Sequence, residues 1–94
     1  MNLRIPDDVV SRVLGDEAVI LNVSTGVYFG LDSIGTRMWQ LISENGSMDK
    51  AVENFLAEFE VEEERLRHDF GLLIQQLKDK GLIVDDTKET AVAD

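Results

Sequence analysis

The stretch Val19–Trp39, VILNVSTGVYFGLDSIGTRMW, decides the fold. Val19-Ile20-Leu21-Asn22-Val23 is almost wholly apolar and rich in β-branched side chains, which suit a pleated surface and predict a strand. Ser24-Thr25-Gly26 then breaks the run, and Gly26, lacking a Cβ, is free to take the positive φ of a hairpin loop. Val27-Tyr28-Phe29-Gly30-Leu31 gives the returning strand. At Asp32-Ser33 the apolar period changes from two to about 3.6. Either side chain there can accept a hydrogen bond from the free amides of a helix start. One strand therefore stands between a hairpin partner and a helix, and its far edge has no obvious partner.

Towards the N-terminus, Val9–Leu14 reads as a first strand after Pro6-Asp7-Asp8, and Gly15-Asp16-Glu17 as the turn into a second from Ala18 to Val23. Three strands joined by tight turns imply an antiparallel meander. Alternation puts Val19, Leu21 and Val23 on one face of the second strand, and Ile20 and Asn22 on the other. On the third strand Val27, Phe29 and Leu31 share a face while Tyr28 and Gly30 point away. Towards the C-terminus the chain is helical. Ile34, Met38, Leu41 and Ile42 make one apolar stripe from about Ser33 to Glu44, and Asn45-Gly46 supplies a left-handed stop. Ser47 caps a second helix with the stripe Met48, Ala51, Val52, Phe55, Leu56 and Phe59, although Lys50 denies it a full capping box. Glu62-Glu63-Glu64 opens a third, where carboxylates suit the positive end of the dipole. Its seam is Leu66, Phe70, Leu73, Ile74 and Leu77, and Gly81 ends it. Leu82-Ile83-Val84 is apolar enough to return to the core. The expected architecture is one α+β domain over residues 1–84, a winged-helix-like three-stranded antiparallel sheet followed by three α-helices. A flexible acidic tail is expected at 85–94.

Composition narrows the function. The chain has 94 residues, 44% of them hydrophobic, enough for one modest core. It has no cysteine, which removes disulfides, thiolate metal sites and thiol chemistry and fits a reducing cytoplasm. No segment resembles a signal peptide or approaches the roughly 18 apolar residues needed to span a bilayer, so no membrane partner is expected. With 9 Lys+Arg against 19 Asp+Glu the net charge is −10, which opposes binding of nucleic acid. His68, the single histidine, lies on the exposed side of the third helix without a serine or cysteine to activate. The three consecutive glutamates diverge by about 100° per residue and do not converge on one ion. The glycines at 26, 30 and 35 do not fit a phosphate loop. Trp39 reads as a core residue. No catalytic grouping, metal site or cofactor site emerges, and a recognition module is expected rather than an enzyme.

If the second strand is central, the third has one unpaired side, and Val27–Leu31 carries no Lys, Pro or charge to protect it. Such an edge invites an extended peptide as an added strand. Arg65, Asp69, Leu72 and Gln76 lie to one side of the third helix's seam, with apolar Leu72 among polar neighbours, as a groove wall would have. The plainer alternative is that Leu72 extends the core and Leu82-Ile83-Val84 covers the strand edge.

The order Asn22, Thr25-Gly26, Tyr28-Phe29, Leu31-Asp32, Gly35, Trp39 and Leu41-Ile42, closed by Asp69, Leu77 and Gly81-Leu82, resembles the PqqD-like family. These are precursor-peptide recognition elements of pathways that make and modify ribosomal peptides. The resemblance spans roughly Val10 to Val84. It implies a winged-helix-like domain that holds a leader peptide as an extra antiparallel strand and delivers it to a partner enzyme. Carried over, the strand wall is Val27, Tyr28, Phe29, Gly30 and Leu31, and the helix wall Arg65, Asp69, Leu72, Leu73 and Gln76. Two settings stay open: assistance to a radical-SAM enzyme in pyrroloquinoline quinone biosynthesis, or stand-alone leader binding for a leader protease in a lasso-peptide pathway. The Tyr28-Phe29-x-Leu31-Asp32 and Gly35-x-x-x-Trp39 spellings sit closer to the second. A homodimer or interaction domain paired through the open edge and a winged-helix DNA binder are the alternatives. The second calls for a basic helix, whereas Glu62–Lys80 carries five acidic and four basic residues.

Overall fold

In the computed structural model, which describes residues 2–86, the chain order is β1 (Leu3–Arg4), β2 (Val9–Leu14), β3 (Glu17–Asn22), β4 (Tyr28–Leu31), α1 (Ser33–Asn45), α2 (Met48–Glu58), α3 (Glu63–Asp79) and β5 (Val84–Asp85). The expected meander is the antiparallel sheet β2-β3-β4, and the three expected helices follow it. Ile20 lies opposite Ser11 and Phe29, and Leu21 opposite Val10 and Tyr28. The face carrying Ala18, Ile20 and Asn22 is the buried one, so Val19 and Val23 turn outward. The Asn22 amide donates to the Val27 carbonyl at 2.9 Å, which sets the phase of the β3–β4 ladder. Hydrogen-bonded pairs alternate along an antiparallel ladder, so Phe29 and Leu31 bond to β3 while the N–H and C=O groups of Tyr28 and Gly30 face the open side.

The helices cover the inner sheet face. Asp32 caps α1 by accepting from the Gly35 amide at 2.8 Å, and Ser47 caps α2 by accepting from the Lys50 amide. A Cβ on Gly35 would come within 3.2 Å of both the Asp32 carboxylate and the Leu31 side chain, so a larger residue here would press on the cap and on β4. Thr36, Met38, Trp39, Leu41 and Ile42 are the buried residues of α1. Ile34, placed on the buried stripe by its spacing, is 49% exposed because it sits where the first turn overhangs the end of β4. Phe70 of α3 is the centre of the core, fully buried and edge-on to Phe55 at 5.9 Å. Such a pair is worth about 0.5–1.5 kcal/mol in total beyond the burial of its two rings. Phe55 in turn contacts Phe59, which lies just past the end of α2 and is partly exposed.

Two short strands were not foreseen. β1 pairs with β5, Leu3 is buried, its amide donates to Gly46 at 2.9 Å, and Arg4 reaches Asp86 at 3.0 Å. Val84–Asp86 is thus tied to the N-terminal strand. Positions 87–94 lie outside the described residues. β5 also meets β1 rather than β4, so among the described residues no strand from the C-terminal side pairs with the open edge.

The contact between α1 and α2 includes an ion pair of Arg37 with Glu58, with Nε to Oε1 at 2.8 Å and a second contact through Nη2. The hydrogen bond from Arg37 holds the Glu58 carboxyl below its ordinary value of 4.5. A lowered folded value stabilises the fold above the ordinary value and stops doing so as pH falls through the lower one. Glu58→Gln is therefore expected to melt slightly below the wild type at pH 7. The gap should close as pH falls below about 4.5. A gap that persists in acid would assign the loss to packing instead.

Candidate functional site

The open edge of β4 faces α3 across a groove of about 410 Å3 lined by Phe29, Gly30, Leu31, Asp32, Ile34, Gly35, Met38, Asp69, Leu72, Leu73 and Gln76. β4 supplies one wall because its Tyr28 and Gly30 backbone groups are turned away from β3. α3 supplies the other. Residues four apart on a helix share a side, so Asp69, Leu73 and Gln76–Leu72 stack towards the strand. Leu73 is buried at the base and Leu72, 54% exposed, stands at the rim. The first turn of α1 makes the end, with Ile34 and Met38 reaching in. The groove therefore offers unpaired backbone groups on one side and apolar side chains below.

Beyond Ile34, Met38 and Asp69 the groove opens into a second recess of about 260 Å3. Phe55, Phe59, Val61 and Leu66 make it apolar, and Arg65 and Glu62 stand on its rim. Arg65 makes no ion pair within 4 Å among the described residues, although Asp69 is one turn away. The link from α2 to α3 contributes Phe59, Val61 and Glu62 to its wall.

Of the ten residues expected at the site, Phe29, Gly30, Leu31, Asp69, Leu72, Leu73 and Gln76 are brought together in the groove, and Arg65 lies on the adjoining recess. Two are not in it. Val27 precedes β4 and its carbonyl is taken by Asn22. The Tyr28 side chain is 69% exposed on the opposite sheet face, so this residue meets the open edge through its backbone alone. Sequence reasoning missed Asp32, Ile34, Gly35 and Met38, which it assigned to capping and core, and the whole recess. A stripe residue directly after a capped helix start is the signal that could have found Ile34.

The outer sheet face is also exposed. Val10, Leu21 and Tyr28 lie side by side across the three strands, and Arg12, Val19 and Gly30 form the next row. Among the described residues no group of three His, Cys, Asp or Glu is placed to hold a metal ion, and no helix is long and apolar enough to cross a membrane.

A small α+β domain with a groove along a free sheet edge is the class this geometry defines. The chain belongs to the PqqD family: the family model described as coenzyme PQQ synthesis protein D matches residues 17–83. A solved structure of TbiB1 in complex with the TbiA(beta) leader peptide is similar at 36% identity, covering 85% of this chain and 93% of that one, with a TM-score of 0.79. A lasso peptide synthetase B1 complexed with the leader peptide shares the fold at 20% identity, covering 90% of this chain and 100% of that one, with a TM-score of 0.78. No curated protein sequence matches the chain.

Proposed function

We propose that this domain is a non-catalytic recognition element for the leader segment of a ribosomally made precursor peptide. The segment binds as an extra antiparallel strand on β4, against α3, and is delivered to a modifying enzyme or leader protease. The observation that carries this reading is the outward set of Tyr28 and Gly30 backbone groups beside an apolar groove. Backbone bonds supply affinity without regard to sequence, and pockets beside them supply choice. The recess past Ile34 suits one bulky apolar side chain near the N-terminal end of the bound segment, since an antiparallel strand enters from the Leu31 side. Two solved neighbours hold leader peptides, which supports the same reading, and one of them is a lasso peptide synthetase B1, which favours a lasso-peptide setting over pyrroloquinoline quinone synthesis. Delivery requires a second surface, and the exposed apolar face of the sheet leaves one free on the side away from the groove.

The test is a titration of the ¹⁵N-labelled domain with the TbiA(beta) leader peptide and with leaders from candidate precursors. Amide shifts are expected to concentrate on residues 28–31 and on the Asp69–Gln76 side of α3. Flat spectra with every leader, together with a persistent dimer mass, would move the assignment to a domain that pairs with its own copy.

A further inference from the structure

We propose that Lys80 reads charge for the groove, selecting a carboxylate side chain on the bound peptide. This rests on the peptide-binding reading above. Lys80 continues the groove side of α3, four residues after Gln76 and eight after Leu72. Its Nζ stands 5.6 Å from the centre of the Phe29 ring, a residue of the groove itself. Like Arg12, Lys50, Arg65 and Lys78, Lys80 has no carboxylate partner within 4 Å among the described residues, and it is the ring contact with Phe29 that ties this unpaired cation to the groove. In a chain of net charge −10, a cation left without a carboxylate at the end of a groove marks where an acidic ligand group is tolerated.

The geometry also sets the position of that group. A strand antiparallel to β4 runs from the Leu31 end towards Tyr28. Its side chains opposite Leu31 and Phe29 fall on the same face as those residues, towards α3. The selected carboxylate is therefore on the peptide residue opposite Phe29, or two residues further towards the peptide's C-terminus. Covering Phe29 with peptide removes water from around the ammonium, which strengthens both its contact with the ring and its attraction to a carboxylate. The competing role for Lys80 is to oppose the negative end of the α3 dipole. Lys78 can do that equally, but it lies about 200° around the helix from Lys80.

The test uses a random-sequence peptide library displayed on phage, selected in parallel against the wild type, Lys80→Gln, Lys80→Glu, Lys80→Arg and Lys78→Gln. The wild type, Lys80→Arg and Lys78→Gln are expected to enrich one shared Asp/Glu position, which disappears with Lys80→Gln and becomes Lys/Arg with Lys80→Glu. A peptide from the wild-type pool should bind Lys80→Gln about tenfold more weakly, and the gap should narrow at high salt. A clear consensus without an acidic position, or with one indifferent to Lys80, overturns this assignment and leaves the strand-addition reading standing. Failure of the wild type to enrich any peptide, or enrichment of peptides that shift nothing on β4, removes that reading itself and this one with it.

Discussion

Tyr28→Pro is expected to abolish binding of an extended peptide while leaving the domain folded. The Tyr28 amide faces the open side of β4, because the bond from the Asn22 amide to the Val27 carbonyl places Tyr28 in a non-bonded pair with Leu21. Proline removes that donor and puts a ring where the incoming carbonyl must approach. The peptide then keeps a carbonyl without a partner in a partly dry groove, at a cost of about 1–3 kcal/mol beyond the lost bond. Affinity should fall at least about a hundredfold, read by calorimetry or fluorescence anisotropy. Edge strands tolerate proline on the free side, so melting should change little. Phe29→Pro separates the two roles. The Phe29 amide is inside the ladder with Ile20, and the same substitution one residue on removes a ladder bond and should lower the melting temperature clearly. Tyr28→Ala keeps the amide and removes only a side chain on the far face, so it should bind within a few fold of wild type. Unchanged peptide affinity in folded Tyr28→Pro would rule out strand addition at β4.

That contrast between adjacent residues shows how far the sequence could be read. Alternation placed Phe29 and Leu31 on one face and Tyr28 and Gly30 on the other, and burial follows it. The cap at Ser47, a cap at Asp32 or Ser33, and the positive φ values of Gly26 and Gly46 were also legible, because each depends on a single residue type at a local turn. The phase of the hydrogen-bond ladder was not legible. It depends on how the Asn22–Val27 loop closes, and a side-chain pattern of period two carries no information about which amides face inward. β1 and β5 are two residues each, too short to show any period, and they form because Leu3 finds a site beside Gly46 far along the chain. Ile34 obeys the helical stripe but lies past the end of the strand that would cover it. The recess behind it is walled by three elements, which is a property of packing and not of any one segment.

Asn22 is where a buried polar residue holds the two walls of the groove in register, and its loss is expected to lower stability and affinity together. It is 6% exposed at the end of β3. Its Oδ1 accepts from the amides of Ser24 and Thr25 at 2.9 and 3.1 Å, shaping the loop into β4, and its Nδ2 donates to the Gly81 carbonyl at 3.2 Å. Gly81 has φ 72° and turns the chain from α3 back to buried Leu82 and Ile83. One side chain thus joins the hairpin that carries β4 to the end of the helix that faces it. Asn22→Leu keeps most of the volume but strands three backbone groups. Water can reach Ser24 and Thr25, which are exposed, so the cost should be about 2–3 kcal/mol rather than the sum of three buried losses. For a domain of this size that lowers the melting temperature by roughly 10 °C or more. Asn22→Asp keeps the acceptor for Ser24 and Thr25 but sets a buried carboxylate oxygen against the Gly81 carbonyl, so it should lose stability as well. Amide exchange gives the local reading: Ser24 and Thr25 should exchange much faster in Asn22→Leu and stay protected in Asn22→Asp. Peptide affinity, measured well below the melting point, should drop in both, because both release the helix end from the hairpin. If Asn22→Leu melts as the wild type does, water serves the three groups as well as the side chain. If affinity holds while stability falls, groove width is set by the Ile20, Phe70 and Leu77 core alone, and Asn22 has no part in spacing the walls.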